Sequence, residues 1–227
     1  CCIIVAAGSG TRYGTATPKQ FEWLVGKYLF QHSLDIALAH EQCQACILVI
    51  RQADKSFVSE ILDGYPSQLK SKIRIAIGGA ERSESVCNGL READKGNADF
   101  VLIHDAARPG LSFEVIDRLL AGLSDHEGCA PALPIRDAVK RVSETKISSV
   151  DREGLYRIQT PQAFRLSAAL SMHSGNQSDA VDDFELAQAN GFHLKLVEGS
   201  ENLMKLTTPG DKAILETHLS GPQTSIT

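Results

Sequence analysis

The chain has 227 residues, of which 43% are hydrophobic and 22% are charged, and its formal net charge is -5. This composition is typical of a globular protein that buries one substantial core. The acidic balance argues against a broad nucleic-acid-binding surface, and the apolar runs are too short to span a bilayer. We therefore expect no nucleic-acid partner and no membrane association. Because the six cysteines form no recognisable disulfide framework and no leader-like segment is visible, we also expect a cytoplasmic location.

Strand-like and helix-like patterns alternate along the first 134 residues. The predicted strands are Cys2–Ala7, Ala45–Arg51, Ile73–Ile77, Phe100–His104 and Gly128–Pro134. The predicted helices between them are about Phe30–Ala39, Ser56–Leu62, Ser83–Ala93 and Phe113–Leu123. Continuous apolar strands separated by amphipathic helices indicate a parallel sheet that is covered on both faces. We therefore predict an open, doubly wound, mostly parallel α/β sheet, in which ligands bind at the carboxyl ends of the strands.

The alternation becomes less regular after Pro134. Short strands are predicted at Ala138–Val142 and Ser148–Asp151 and within the stretch YRIQTPQAF that follows. We expect a β-arm at about 136–160, which projects from a single domain covering residues 1–220. Residues 221–227 are predicted to be a disordered tail.

The last third of the chain predicts helices near Leu166–Ser174 and from Asp182, a strand at Leu194–Glu198 and a final helix from Thr208. Asp182 and Glu185 have the spacing of a capping box, so we interpret Asp182 as a helix N-cap and not as a metal ligand. Thr208 is the predicted N-cap of the final helix, with Pro209 at the first helical position.

The loop after the first strand is rich in small residues and reads Ala6-Ala7-Gly8-Ser9-Gly10-Thr11-Arg12. Small residues allow a backbone to approach a ligand closely, and successive N–H groups bind anions. The loop has neither the Gly-Lys-Ser/Thr ending of a Walker loop nor a complete Rossmann fingerprint. Arg12 lies at one end of this stretch, and Lys19, in Pro18-Lys19-Gln20, lies at the other. A cation at each end suits a triphosphate, whose charge must be neutralised as a phosphate bond breaks. The alternative is a structural glycine turn with two solvated surface cations.

Two further motifs follow strands of the same predicted sheet. HDAARP (104–109) places Asp105 at a carboxyl end facing the first loop, where one carboxylate would suit Mg²⁺. The alternative is that Asp105 caps a turn and pairs with Arg108. GGAERSESV (78–86) offers backbone groups at Gly79, with Ser85 as a side-chain partner, for the edge of a nucleobase. Alone, that motif indicates only a junction between a strand and a helix.

Cys43-Gln-Ala-Cys46 has the spacing of a redox or metal-binding pair. No second CxxC and no histidine pair accompanies it, so the sequence favours buried small residues that lead into a strand.

Five motifs together resemble the 2-C-methyl-D-erythritol 4-phosphate cytidylyltransferase family, and they occur in the right order from Ile3 to about Leu219. They are AAGSGTR…PKQ, GGAERSESV, HDAARP, VDREGLY…QTPQAF and LMKLTTPGD. The resemblance implies a Rossmann-like nucleotidyltransferase fold and Mg²⁺-dependent transfer of a cytidylyl group from CTP to a sugar-alcohol phosphate. It also implies a homodimer in which the β-arm crosses to the partner, so that Arg152 serves the neighbouring site.

The resemblance assigns roles to individual positions. The catalytic cations are Arg12, Lys19, Arg152 and Lys205. The nucleotide-binding positions are Ala6, Ala7, Gly8, Ser9, Gly10, Thr11, Gly79, Ser85 and Asp105. Asp105 is also the implied magnesium ligand, and it forms the implied substrate-binding set with Arg108, Arg152 and Lys205.

Two positions depart from the family pattern. Ala138 follows Asp137, and Val181 precedes Asp182, where family members usually carry threonines that contact the substrate phosphate. An alternative within the same enzyme class is a cytidylyltransferase for ribitol 5-phosphate or another polyol phosphate. An alternative from another class is a nucleotide-binding regulator without turnover, against which Arg12, Lys19 and Asp105 argue.

Overall fold

The structure is a computed structural model, and it describes residues 1–8, 18–96, 98–174 and 180–221. Within these residues the strands are β1 (Cys2–Val5), β2 (Trp23–Leu24), β3 (Lys27–Tyr28), β4 (Cys46–Ile50), β5 (Ile73–Ile77), β6 (Phe100–Asp105), β7 (Gly128–Pro134), β8 (Val139–Val142), β9 (Ile147–Val150), β10 (Tyr156–Ile158), β11 (Gln162–Arg165) and β12 (Leu194–Glu198). The α-helices are α1 (Leu29–Ala39), α2 (Lys55–Asp63), α3 (Ser67–Lys70), α4 (Arg82–Asp94), α5 (Phe113–Gly122), α6 (Leu166–Met172), α7 (Asp183–Ala189) and α8 (Asp211–Ser220).

One mostly parallel sheet organises the described residues. Its strand order is β10-β7-β11-β6-β1-β4-β5, and β12 also pairs with β7. The strands β6, β1, β4 and β5 are parallel to one another, whereas β11 runs antiparallel between β6 and β7. The predicted doubly wound, mostly parallel α/β sheet is therefore confirmed.

Helices cover both faces of this sheet because neighbouring residues of the central strands point in opposite directions. In β1, Ile3 packs in one buried cluster with Val86 and Leu90 of α4. The next residue, Ile4, packs in a second cluster with residues of α1 such as Leu34. Each apolar strand therefore contributes to two cores, which explains why it is apolar at every position.

Most predicted elements lie where the sequence placed them, but the start of the last helix does not. Helix α8 begins at Asp211 with Gly210 as its N-cap, so the Thr208 cap was wrong. The Asp211 carboxylate accepts hydrogen bonds from the backbone N–H groups of Thr207 and Thr208, so it satisfies donors of the preceding turn.

The N-cap predicted at Asp182 is confirmed. Its carboxylate accepts a hydrogen bond from the Glu185 N–H at 2.8 Å. The return bond differs from the expected capping box, because the Glu185 carboxylate accepts from the N–H of Val181, one residue before the cap.

The segment predicted as a β-arm divides into two parts. Strands β8 and β9 pair with each other in a separate hairpin, on which Val142 and Ile147 are each 70% exposed. Tyr156–Ile158, which the prediction also placed in the arm, instead pairs with Ala132–Pro134 of the central sheet.

Of the predicted tail, residues 222–227 lie outside the described residues. Within the described ranges, no helix is both long enough and apolar enough to cross a bilayer.

Candidate functional site

A cavity of about 380 Å³ opens at the carboxyl ends of β1, β5 and β6. Ligands bind at this edge in open α/β sheets, because the loops that follow parallel strands converge there. The predicted site residues that line it are Ala7, Gly8, Lys19, Gly79, Ser85, Asp105 and Lys205. Tertiary folding thus brings together residues from four separated motifs.

The start of the glycine-bearing loop is held by a buried glutamine. Ala6 is 2% exposed, and its N–H donates to Val49 of β4 at 2.7 Å. The side-chain amide of Gln20, itself 3% exposed, donates to the carbonyl oxygens of Ala6 at 2.7 Å and Gly8 at 2.9 Å. The sequence prediction quoted Gln20 but gave it no role. The predicted loop residues Ser9, Gly10, Thr11 and Arg12 lie outside the described residues.

The second wall of the cavity is the turn between β5 and α4. A Cβ atom on Gly78 would collide with the Cβ of Ala7 and lie 2.8 Å from the Ser85 Oγ, so this close approach requires glycine. The Ser85 Oγ accepts from the Gly79 N–H at 3.2 Å and donates to the carbonyl of Glu81 at 3.0 Å. Ser85 therefore orients the turn, and through it the Gly79 backbone that lines the cavity.

Asp105 is the buried carboxylate of the site and ends strand β6. Its Oδ2 lies 2.5 Å from the Lys205 Nζ, and its Oδ1 lies 3.2 Å from the Arg82 Nε. Burial raises the pKa of the Asp105 carboxyl, but the positive charges of Arg82 and Lys205 outweigh this and hold the pKa well below its usual range. Asp105 is therefore a carboxylate anion throughout the neutral range.

Arg82 connects Asp105 to a second buried acid. Its Nη1 donates to Asp183 at 2.7 Å, and Asp183 also contacts the Nε2 of His173 at 3.1 Å. Burial lowers the pKa of Arg82, but the two carboxylates outweigh it and the net shift is upward. The Nη2 of Arg82 is buried without a hydrogen-bond partner among the described residues. The sequence prediction missed Arg82, although it lies within the quoted GGAERSESV motif.

Two of the predicted substrate-binding cations do not line the cavity in the described part of the chain. Arg108 donates from Nη1 to the Leu203 carbonyl at 2.7 Å, and burial lowers its pKa. The backbone N–H of Arg108 donates to the Asp105 carbonyl at 3.0 Å, so the turn of the alternative interpretation is present. The Arg108 guanidinium forms no ion pair with the Asp105 carboxylate, so the side-chain pairing in that alternative is wrong. Arg152 is exposed at the base of the hairpin, where it donates to the carbonyl of Arg136.

The described residues that line the cavity offer a magnesium ion one buried carboxylate, that of Asp105. Among the described residues no three histidine, cysteine, aspartate or glutamate side chains converge on a metal-sized site. Mg²⁺ commonly binds through one or two carboxylates and takes its remaining ligands from substrate phosphates and water. Asp105 can supply one such carboxylate in the wall of the cavity.

The fold and this site define a class of protein, the α/β nucleotidyltransferases: a loop of small residues follows β1, and cations surround one carboxylate at the carboxyl edge of the sheet. The model of the IspD family, 2-C-methyl-D-erythritol 4-phosphate cytidylyltransferase, matches residues 1–220. The chain therefore belongs to the 2-C-methyl-D-erythritol 4-phosphate cytidylyltransferase family, as the sequence motifs predicted.

Individual relatives agree with this assignment. A 2-C-methyl-D-erythritol 4-phosphate cytidylyltransferase of Cereibacter sphaeroides is 40% identical over 215 residues, which are 94% of either chain. The crystal structure of a 4-diphosphocytidyl-2C-methyl-D-erythritol synthase matches with a TM-score of 0.81 at 29% identity, over 96% of this chain and 97% of that one. The enzyme of the same name from Anaerococcus prevotii matches with a TM-score of 0.80 at 27% identity, over 96% and 94%.

Proposed function

We propose that this protein transfers the cytidylyl group of CTP to 2-C-methyl-D-erythritol 4-phosphate and releases pyrophosphate, in isoprenoid precursor synthesis. A phosphate oxygen of the acceptor attacks the α-phosphorus of CTP, and the bond between the α-phosphorus and its bridging oxygen breaks. The observation that carries the proposal is the convergence of the family's motif positions on one cavity: Ala7, Gly8, Lys19, Gly79, Ser85, Asp105 and Lys205.

Nucleotide binding is assigned to the two backbone walls of the cavity. Gly78 packs directly against Ala7, and the adjacent Gly79 backbone lines the cavity, so we place the edge of the base against Gly79. Gln20 fixes the start of the small-residue loop by donating to the carbonyls of Ala6 and Gly8, and we assign the triphosphate to the loop sequence that follows. We propose that the base held here is the cytosine of CTP.

Catalysis is assigned to positive charge and positioning, because transfer at phosphorus requires no protein nucleophile when the acceptor brings its own phosphate. Lys19 lines the cavity beside the loop, and Arg12 lies within the same loop sequence. We propose that both stabilise the charge that develops on the phosphate oxygens and on the leaving pyrophosphate.

Mg²⁺ is the proposed cofactor, with Asp105 as its protein ligand. The ion supplies charge neutralisation for the triphosphate when it is bound. Arg82, which also binds Asp183, holds one oxygen of the Asp105 carboxylate. Lys205 contacts the other oxygen of Asp105 and lines the cavity. Arg82 therefore keeps Asp105 aimed into the site even when Lys205 turns to a substrate phosphate.

The acceptor site is proposed to form between two copies of the chain. Lys205 lies in the cavity, whereas Arg152 lies at the exposed hairpin and does not line the cavity of its own chain in the described residues. The hairpin exposes Val142 and Ile147, an apolar surface that a second copy could cover. In this arrangement Arg152 of one protomer reaches the acceptor phosphate of its partner.

Pyrophosphate release tests the activity. Purified protein is given CTP and Mg²⁺ with either 2-C-methyl-D-erythritol 4-phosphate or ribitol 5-phosphate, and the CDP-alcohol is identified by mass. We expect product with the first acceptor, little with the second, and much weaker activity when ATP replaces CTP. Turnover of ribitol 5-phosphate in preference would replace the proposed acceptor, and absence of pyrophosphate release with either acceptor would contradict cytidylyl transfer.

A further inference from the structure

A pair of cysteines lies at the edge of the sheet opposite to the nucleotide cavity. Cys46 is the first residue of β4 and is fully buried, and Cys43 lies half-buried in the loop before it. Their sulfur atoms are 3.6 Å apart. Because a disulfide requires about 2.05 Å, a small movement of the Cys43 side chain would bring the sulfurs to bonding distance.

This pair is reachable by small molecules. A cavity of about 320 Å³ opens at the amino ends of β1, β4 and β6, and Cys43 lines it together with Cys2 and Phe100. The lining includes none of the residues that line the nucleotide cavity. The proposed activity therefore has no use for this cavity.

The two thiols have different chemical character. The S–H of Cys46 can donate to the sulfur of Cys43, and this hydrogen bond lowers the pKa of the Cys43 thiol to about 7, with Lys72 as a nearby positive charge. Lys72 is positioned by a hydrogen bond from its Nζ to the Cys43 carbonyl at 3.2 Å. The hydrogen bond to Cys43 and burial raise the pKa of Cys46. An accessible thiolate beside a buried thiol is the arrangement of an attacking and a resolving cysteine.

We propose that Cys43 and Cys46 form a reversible dithiol–disulfide site that reacts with peroxides, with Cys43 as the attacking residue and Cys46 as the resolving residue. The site is independent of the cytidylyl-transfer function. It assigns a role to the CxxC motif, for which the sequence favoured simple burial.

The reaction balances in two steps. The Cys43 thiolate attacks one oxygen of hydrogen peroxide, the O–O bond breaks, and hydroxide leaves, so that Cys43 becomes a sulfenic acid. The sulfur of Cys46 then attacks the sulfur of Cys43, the S–O bond breaks, and the departing oxygen takes the Cys46 proton as water. The hydroxide released in the first step becomes water by taking up the proton that Cys43 lost when its thiolate formed. Overall two thiols lose two electrons, one peroxide is reduced, and two waters form.

The test uses the reduced full-length chain treated with equimolar hydrogen peroxide at pH 7.5, followed by alkylation and peptide mapping. Cys43 and Cys46 fall in one tryptic peptide, residues 28–51. We expect that peptide to lose two hydrogens and to recover them with dithiothreitol. A bond from Cys2 would instead join this peptide to residues 1–12, and that result would overturn the assignment.

Matched variants separate the two roles. Cys46→Ser should let the Cys43 sulfenic acid accumulate and react with dimedone, whereas Cys43→Ser should slow peroxide consumption at least tenfold. Cys129→Ser is the control, because Cys129 is buried in β7 and burial raises its thiol pKa to about 11. It should leave the Cys43–Cys46 disulfide unchanged.

Native protein without any substitution provides a second readout. We expect iodoacetamide to alkylate Cys43 at least ten times faster than Cys129 in the folded chain. Equal rates at these two residues, or dimedone labelling of wild-type and Cys46→Ser protein to the same extent, would overturn the proposal.

Discussion

Removing the hydrogen-bond donors of Gln20 should loosen the loop that begins at Ala6. The Gln20 amide spans two carbonyl oxygens, at 2.7 Å to Ala6 and 2.9 Å to Gly8, and the side chain is buried. Gln20→Leu keeps most of the volume but leaves both carbonyls without this donor. Gln20→Glu keeps the shape, and at neutral pH its carboxylate cannot donate to either oxygen.

The magnitude follows from the two bonds. Each net hydrogen bond contributes about 1 kcal/mol to stability, and a buried acceptor left unpaired costs about 1–3 kcal/mol. Part of the loop remains accessible to water, so we expect a total loss of about 2–4 kcal/mol in the free energy of unfolding for Gln20→Leu. If CTP binding must restore the order given by one of these bonds, about 1 kcal/mol, the KM for CTP rises about fivefold.

Urea unfolding and steady-state kinetics measure these two effects. Gln68→Leu is the matched control, because Gln68 is an exposed glutamine of the short helix α3, distant in sequence from the site. Both quantities should stay near the parent values in that control. Native stability together with a native KM for CTP in Gln20→Leu would refute the reasoning that Gln20 positions the loop.

Three further predictions test the cations, the acceptor site and a buried histidine. Lys19→Ala should lower kcat about 10²-fold while changing the KM for CTP less, measured by pyrophosphate release; an unchanged kcat would make Lys19 a surface cation. Ala138→Thr with Val181→Thr should lower the acceptor KM several-fold by adding hydroxyl donors, and equal KM values would show that these positions do not face the phosphate. Burial lowers the pKa of His104 in the folded chain to about 4, whereas its ordinary value is about 6.5. As the pH falls between these two values, the unfolded chain binds a proton that the folded chain does not. The free energy of unfolding should therefore drop by about 3 kcal/mol across that window. Urea unfolding of His104→Gln should show a clearly smaller drop; an equal drop would assign it to other groups, such as His32, whose pKa burial also lowers.

The sequence by itself determined the strands, the layers and most of the candidate site. Strands such as β4 and β7 are apolar at successive positions because both faces are covered, and this pattern is local and readable. The glycine-rich loop and Asp105 were equally readable, because each directly follows or ends such a strand. The family motifs predicted that Lys19, Ser85 and Lys205 would meet at this edge, but they also placed Arg108 in the site, and it does not line the cavity.

Only the tertiary structure decided which partners those side chains take. Arg82 bridges Asp105 and Asp183, 23 and 101 residues away along the chain, and no local pattern encodes a pairing at such separations. Strand β11 enters the sheet antiparallel between β6 and β7 for the same reason, since pairing depends on which edges become adjacent after folding. The final helix begins at Asp211 and not at Thr208 because the turn before it binds the Asp211 carboxylate. Local chemistry thus specified the elements, and long-range burial and charge pairing specified their contacts.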